Sequence, residues 1–312
     1  MQKVLIIVGP TAVGKTKLGI ELAQKFDGEI VSGDSMQIYR EVNIGTAKPD
    51  AAELATAKHY LVNEKSVFES YSVKDFVALA TNAIAQIDKN NKLPIVVGGT
   101  GFYISALING LQLGEKEDYE SPVDSQWEDF LVRAGPESLW ARLNELDPAA
   151  AEKIPYQNTR RVLRALSVIS RTGQLFSGQQ DELEPIFDAK IIGLNTEREK
   201  IYELINHRID LMLQAGLLEE AKYLYDNLAE VKQAKQAIGY KELFPYFAGE
   251  QTLNEAVDKL KQASRKYAKR QLTYFRNKLN VSWYDLTDNN VARAAAMENL
   301  LQEVNEWRKN DN

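Results

Sequence analysis

The stretch that most constrains this chain lies near its start: Gly9, Pro10, Thr11, Ala12, Val13, Gly14, Lys15 and Thr16. An apolar run, Val4 to Val8, leads into it, and Lys17 to Phe26 follows with apolar residues at helical spacing. Strand, glycine-rich turn, helix is the setting in which the pattern G-x-x-x-x-G-K-[ST] forms a phosphate loop. Gly9 and Gly14 permit backbone conformations and a close approach that a side chain would block. Successive backbone N–H groups and the helix N-terminus then face an anion. Lys15 adds a point charge, and the Thr16 hydroxyl is placed to ligate Mg²⁺. The bland alternative is a glycine-rich turn with no ligand, and the full pattern with both flanks argues against it. The loop implies a bound di- or triphosphate, with a nucleotide such as ATP as the default, and leaves open what is done with it.

Composition narrows the chemistry. The chain has 312 residues, room for one large domain or a core with an inserted subdomain. Its hydrophobic content of 44% and charged content of 26% are those of a globular protein. Cysteine is absent, which excludes disulfides, thiolate nucleophiles and Cys-based zinc sites. His59 and His207 are the only two histidines, which argues against a multi-histidine metal site. Val4 to Val8 is too short for a signal-peptide core or a membrane span, so a cytoplasmic protein without a membrane partner is expected. The net charge of −6 weighs weakly against nucleic acid, but distribution matters more than the sum. Between Lys259 and Lys278 stand eight basic residues and no acidic one.

Taken in order, the chain alternates strands and helices at first: strand 4–8, helix 16–26, strand 29–32. Asp34 follows that second strand, with Ser35, Met36, Gln37 and Tyr39 behind it. Ligands of a doubly wound parallel sheet bind beyond the carboxyl ends of its strands, so Asp34 falls near whatever the loop holds. The alternative is that Asp34 caps a helix beginning near Ser35. Residues 46–49 read as a loop and 75–87 as a helix. The apolar strand 93–97 ends in Gly98-Gly99-Thr100-Gly101. In nucleotide hydrolases the corresponding strand commonly ends in Asp, which helps position Mg²⁺. Here a hydroxyl and bare backbone stand there instead, suited to bonding a phosphate or a leaving group.

The acidic stretch Gly114 to Asp124 reads as a boundary, and helical patterns fill Gln126 to Arg171 without an intervening strand. Arg160, Arg161 and Arg164 make a basic cluster that could equally be a solvated helix face. Gly173 to Asp188, with Glu182 and Glu184, reads as loop. The strand pattern resumes at 190–194, and a helix over 197–215 carries Arg198, His207 and Arg208, with Gly216 at its end. A helix over 253–278 holds the basic stretch with Tyr267, Tyr274 and Phe275 interleaved. A short strand over 281–284 and an amphipathic helix over 291–307 close the chain. The reading is an α/β fold: a P-loop NTPase-like parallel sheet flanked by helices, with an inserted all-helical subdomain. The core covers 1–115 and 189–312, and the insertion covers 116–188.

Five segments in this order resemble the tRNA dimethylallyltransferases, also called tRNA isopentenylpyrophosphate transferases. They are Gly9 to Thr16, Asp34-Ser35-Met36-Gln37, Ile44 to Pro49, Val97 to Gly101 and Ala237 to Glu242. The resemblance runs from the first strand to Arg276. It implies transfer of a dimethylallyl group from dimethylallyl pyrophosphate to N6 of adenosine 37 of tRNA, with release of pyrophosphate. It also implies that the helical insertion grips the anticodon stem-loop, and a monomer is expected. Asp34 matches the family's base, and Arg208 an arginine that reaches the diphosphate. Lys15, Thr16 and Thr100, with Mg²⁺ as cofactor, are the expected stabilisers of the leaving group. Asp34, Ser35, Met36, Gln37, Thr100 and the run Gln157, Asn158, Thr159, Arg160, Arg161 correspond to segments that meet the anticodon loop. Arg265, Lys269 and Arg270 would lie against phosphates. Tyr274 stands where a tryptophan is frequent in the family, and Leu204 where an arginine is common.

The main rival is an ATP-dependent small-molecule kinase, in which the same loop would hold ATP and Asp34 would activate a hydroxyl. The Gly98-Gly99-Thr100 strand end and the long basic helix argue against it, since a small substrate requires neither. A second enzyme rival, prenyl transfer to a free adenine nucleotide, shares the chemistry, and the inserted helical subdomain favours tRNA over it. A non-enzymatic RNA-binding module is the third alternative, and it would leave Asp34 without a task.

Overall fold

The computed structural model describes residues 1–109, 122–178, 185–287 and 291–310. The elements in chain order are β1 (Lys3–Val8), α1 (Lys15–Phe26), β2 (Gly28–Ser32), α2 (Ala51–Thr56), β3 (His59–Tyr60), α3 (Val73–Lys89), β4 (Leu93–Val97) and α4 (Gly101–Ile108). Then follow α5 (Pro122–Leu146), α6 (Pro148–Lys153), α7 (Thr159–Thr172), β5 (Asp188–Leu194), α8 (Arg198–Gln214), α9 (Leu217–Asp226), α10 (Phe244–Phe247), α11 (Leu253–Lys278), β6 (Ser282–Tyr284) and α12 (Val291–Lys309). The acidic segment read as a boundary lies outside the described residues up to position 121, as do Glu182 and Glu184.

The strands form one six-stranded sheet in the order β3-β2-β4-β1-β5-β6, and every pairing is parallel. Continuous apolar runs dictate this: β1 and β4 are covered on both faces, and Val4 to Val8 and Ile95 to Val96 are fully buried. Each such side chain removed from water contributes about 1.5–3 kcal/mol to the fold. The chain leaves β1 for β2 on one side, returns to insert β4 beside β1, and only later adds β5 on the other side. β1 is therefore the point where the order reverses, and the turns after β1, β2 and β4 meet at one edge.

The chain divides into two compact units, one of Met1–Leu111 with Glu184–Asn312 and the other of Gln112–Leu183. The sequence reading draws the insertion as 116–188; the compact unit runs from Gln112 to Leu183, so residues 184–188 go with the core. Ile186 N–H donates to Ile108 O at 3.0 Å, and Phe187 is buried in the core ahead of β5. Among its described residues the second unit is helical and has an apolar centre of its own, built on Leu139, Leu143, Ile154, Val162 and Leu166. Within it α5 breaks at Gly135 (φ 82°), ahead of Pro136. Asp147 ties its parts together, accepting from Ala150 N at 3.1 Å and from Ser177 N at 2.7 Å.

The expected helices and strands are present, and the bounds of β4 and α11 coincide with those read from sequence. Gly216 has φ 105° and both ends the α8 region and opens α9, a helix the sequence reading left unassigned. Asp34 caps no helix: residues 35–38 run through a bend and a turn closed by Tyr39 N–H donating to Met36 O at 3.2 Å, and Asp34 Oδ1 accepts the Met36 N–H at 2.8 Å.

Candidate active site

The phosphate loop rises from the buried end of β1. Gly9 takes φ 144°, and a Cβ there would lie 2.5 Å from the Leu194 carbonyl oxygen, so glycine alone fits beside β5. Ala12 and Gly14 also take positive φ, 71° and 88°, which curls the loop so that its amides converge. Gly14 then serves as N-cap of α1, with no side chain occupying the helix end. Pro10, Thr11 and Val13 complete the turn, and Thr16 stands half-buried in the first turn of α1.

Lys15 folds back over this loop, its Nζ donating to Pro10 O at 2.7 Å. Burial, reinforced by the Arg208 guanidinium and opposed by Asp34, lowers its pKa to about 7. Arg208, half-buried on α8, is pushed down by burial and held up by Asp34 and then Glu53. It closes no hydrogen bond and no ion pair within 4 Å among the described residues. Burial raises the Asp34 carboxyl above its usual range, against the pull of the Met36 N–H and Lys15. Two cations that repel one another and a single carboxylate that burial disfavours thus share one partly closed site. That is an arrangement for an anion, which would relieve both cations.

The tip of β4 forms the facing wall. Gly33 and Gly98 pass so closely that a Cβ on Gly98 would sit 2.5 Å from the Gly33 carbonyl oxygen. Contact of the two strand ends brings together the segments that carry Asp34 and Thr100. Thr100 Oγ1 is buried and closes no hydrogen bond. Beside it comes Tyr267 of α11, whose phenol is pushed up to about 12 by burial and then by the Asp34 charge, and so stays protonated as a donor. Tyr267 entered the sequence reading only as an aromatic among basic residues; here it belongs to the same site as Asp34 and Thr100.

Several expected RNA contacts have internal duties. Gln37 accepts from Ser32 Oγ at 2.8 Å and donates to the carbonyls of Thr46 and Ala47, both at 3.3 Å. Met36 packs against the core, and Ser35 is half-buried in the same turn. Arg265 donates to Asn206 Oδ1 on α8 at 2.7 Å, bracing the helix that carries Arg208. Lys269 and Arg270 are exposed and border a surface groove of about 580 Å³ along α11. In the other unit Gln157, Asn158, Arg160 and Arg161 are exposed around the start of α7, Thr159 is half-buried, and Asn158 accepts the Arg161 N–H at 3.3 Å as the cap.

The Ile44 to Pro49 and Ala237 to Glu242 segments meet at one carboxylate. Glu220 accepts the N–H groups of Asn43, Ile44 and Gly45 at 2.6, 3.0 and 2.9 Å, and the Tyr240 hydroxyl at 2.7 Å. A Cβ on Gly45 would lie 2.5 Å from the Tyr240 ring, so these motifs fix the loop whose carbonyls orient Gln37. Nothing near Glu220 in sequence announces this role.

A phosphate loop closed by two cations, a carboxylate and a buried hydroxyl defines an enzyme that works on a group carried by a di- or triphosphate. The IPP transferase family model matches residues 37–278. The tRNA dimethylallyltransferase of Lactobacillus gasseri is 61% identical over 299 residues, covering 96% of this chain and 97% of that protein. That of Lactobacillus delbrueckii subsp. bulgaricus is 61% identical over the full length of both chains. The crystal structure of the tRNA isopentenylpyrophosphate transferase of Bacillus halodurans superposes with TM-score 0.74 at 44% identity, over 99% of this chain and 98% of that one. A eukaryotic dimethylallyltransferase captured acting on tRNA gives TM-score 0.80 at 31% identity, over 97% of this chain and 80% of that one. The chain belongs to the IPP transferase family, the tRNA dimethylallyltransferases. It is a prenyltransferase, and the kinase reading falls.

Proposed function

We infer that the enzyme moves a dimethylallyl group from dimethylallyl pyrophosphate to N6 of adenosine 37 in the tRNA anticodon loop. The observation that carries the reading is the cation pair of Lys15 and Arg208 at the phosphate loop, with Asp34 as the carboxylate whose field reaches both. The diphosphate of the donor, rather than a nucleotide, supplies the missing negative charge. Adenosine is unreactive while stacked, so the base is extruded to reach this site. The N6 lone pair forms a bond to C1 of the allyl group as the C1–O bond breaks. The electron pair of that bond leaves on pyrophosphate, and the N6 proton passes to the Asp34 carboxylate, whose burial makes it a stronger base than an exposed aspartate. Lys15, Arg208, the loop amides and the Thr100 hydroxyl stabilise the charge that grows on the leaving oxygen. Thr100 Oγ1 is buried beside the Tyr267 phenol and meets no close hydrogen-bond partner among the described residues, which leaves its proton available to the leaving oxygen.

Mg²⁺ fits this site only together with the diphosphate. Among the described residues no three His, Asp or Glu side chains converge as a metal site. Thr16 would hold the ion through its hydroxyl, the diphosphate oxygens would supply further ligands, and the ion would spread the leaving group's charge. Lys269 and Arg270 on α11, and Gln157 to Arg161 in the helical unit, are the surfaces offered to the anticodon stem-loop. No helix among the described residues is long and apolar enough to cross a membrane. The reading takes the enzyme as a cytoplasmic monomer acting on free tRNA. Incubation with labelled dimethylallyl pyrophosphate and unmodified tRNA, followed by nucleoside mass spectrometry, tests the assignment: N6-prenylated adenosine is expected at position 37. Label on a different nucleoside, or transfer only from ATP to a small acceptor, would overturn it.

A further inference from the structure

Helix α11 presents its basic flank outward, yet one uncharged polar side chain on its other side reaches the phosphate site. Gln271 is only 5% exposed and lies in the buried stripe Leu260, Ser264, Ala268, Gln271, Phe275. Its Oε1 accepts the Thr11 N–H at 3.0 Å, and its Nε2 donates to the Gly99 carbonyl at 2.9 Å. A single amide therefore bridges the phosphate loop and the tip of β4. Gly99 has no room for a side chain, since a Cβ would lie 2.3 Å from Gln271 Nε2. One helical turn on, the Tyr274 ring would lie 2.3 Å from a Cβ on Gly101. The two glycines that flank Thr100 are thus the places where α11 presses on the strand tip.

We propose that Gln271 is a positioning residue that locks the phosphate loop to the β4 tip, so that the loop amides and the Thr100 hydroxyl face the same diphosphate. The proposal rests on reading the loop as the diphosphate cradle. The loop carries Ala12 and Gly14 at positive φ, so its shape depends on being held from outside. Gln271 supplies that hold while taking the Thr11 amide out of ligand binding, which leaves the later amides free to converge. No other residue of its size offers an acceptor and a donor at these two places: glutamate lacks the donor and methionine lacks both. Because α11 also carries Lys269 and Arg270, RNA on one flank and diphosphate on the other are held by the same element.

The test uses the full chain carrying Gln271→Met, which keeps the volume and removes both bonds. Four quantities are read: affinity for inorganic pyrophosphate without tRNA, kcat and KM for the prenyl donor, affinity for tRNA, and hydrogen exchange of the Thr11 amide. The expected result is pyrophosphate affinity lowered about tenfold and kcat lowered about 10–100-fold, the scale of a misplaced catalytic group. tRNA affinity stays within about twofold of wild type, and the Thr11 amide loses its protection. Wild-type pyrophosphate affinity and kcat in the folded variant would overturn the proposal, as would an equal loss of tRNA affinity, which would mark a general packing role. Should Gln271→Met fail to fold, Gly99→Ala displaces the same amide from the strand side, and the same split is expected; its absence would overturn the proposal. Failure of the wild-type protein to bind pyrophosphate in competition with the donor would instead remove the cradle reading, and this proposal with it.

Discussion

Lys15 and Asp34 each carry a charge that burial disfavours, and each lies within reach of the other's field. For Lys15 the sign is definite. Its pKa in the fold, about 7, lies below the ordinary 10.5, so between those values the unfolded chain binds the extra proton. The ligand-free fold accordingly gains stability from this group as pH rises through that window. Bound pyrophosphate restores the charge on Lys15, so binding above pH 7 takes up a proton and affinity falls as pH rises. Calorimetry at about pH 8 in buffers of different ionisation heat should show this uptake in the wild type. It should vanish in Lys15→Arg, whose charge does not titrate in this range. Equal heats in all buffers for the wild type would contradict the buried-lysine picture. Asp34→Asn is the companion experiment. Asparagine keeps an oxygen for the Met36 N–H, so the turn survives while the base is lost, and kcat should fall on the order of a hundredfold or more. Unaltered turnover would remove Asp34 from the base role. Both residues were legible in the sequence because a fixed motif or a strand end placed them. Tyr267 was not, because its approach to Thr100 depends on packing between helix and strand tip, which no local spacing encodes.

Helix α11 is the element on which the phosphate site leans: it touches the loop through Gln271, the β4 tip through Gln271 and Tyr274, and α8 through Arg265 and Lys261, which pairs with Asp210 at 2.6 Å. Its other flank exposes Lys269 and Arg270, the surface proposed for RNA. Arg270→Ala should therefore weaken tRNA binding and reduce the slope of log affinity against log salt by about 0.9, the share of one neutralised phosphate. Binding measured across a salt series gives that slope, and an unchanged value would place Arg270 away from the RNA. The ends of α11 were readable because Thr252 and Glu255 form a capping box at one end and Leu279 turns extended at the other. β4 was readable because its apolar run stops at glycines. α4 was not, since Gly101–Ile108 is apolar almost throughout and shows no period for a helix to betray. β3 has two residues and exists by pairing with β2 alone. Gln271 hid for a related reason. A polar residue in a buried stripe looks like a tolerated exception until its two backbone partners, far off in sequence, are seen.

At the scale of the whole molecule, the proposed catalytic residues and part of the proposed RNA surface belong to units with separate apolar cores. The phosphate loop, Asp34, Thr100, Arg208 and Gln271 all belong to the unit of Met1–Leu111 and Glu184–Asn312, whereas Gln157 to Arg161 belong to the other. The chain departs after α4 and returns before β5, and Ile186 N–H bonds Ile108 O at 3.0 Å across that gap. The core residues Ile108 and Ile186 therefore lie side by side, and loop-closure entropy sets little penalty on joining the core segments by a short glycine linker. Replacing residues 112–183 by such a linker should leave a folded core that binds inorganic pyrophosphate with an affinity within about twofold of the full chain. The same variant should lose at least about tenfold in tRNA affinity, because the phosphate and base contacts offered by the α7 region go with the excised unit. Prenyl transfer should fall below detection even at saturating donor, since an adenosine that is not gripped on both sides is not held extruded at Asp34. Pyrophosphate calorimetry and tRNA binding on the one variant decide the matter. Loss of pyrophosphate binding in a folded core would mean that the helical unit completes the cradle, and retained tRNA turnover would mean that α11 alone suffices to present adenosine 37.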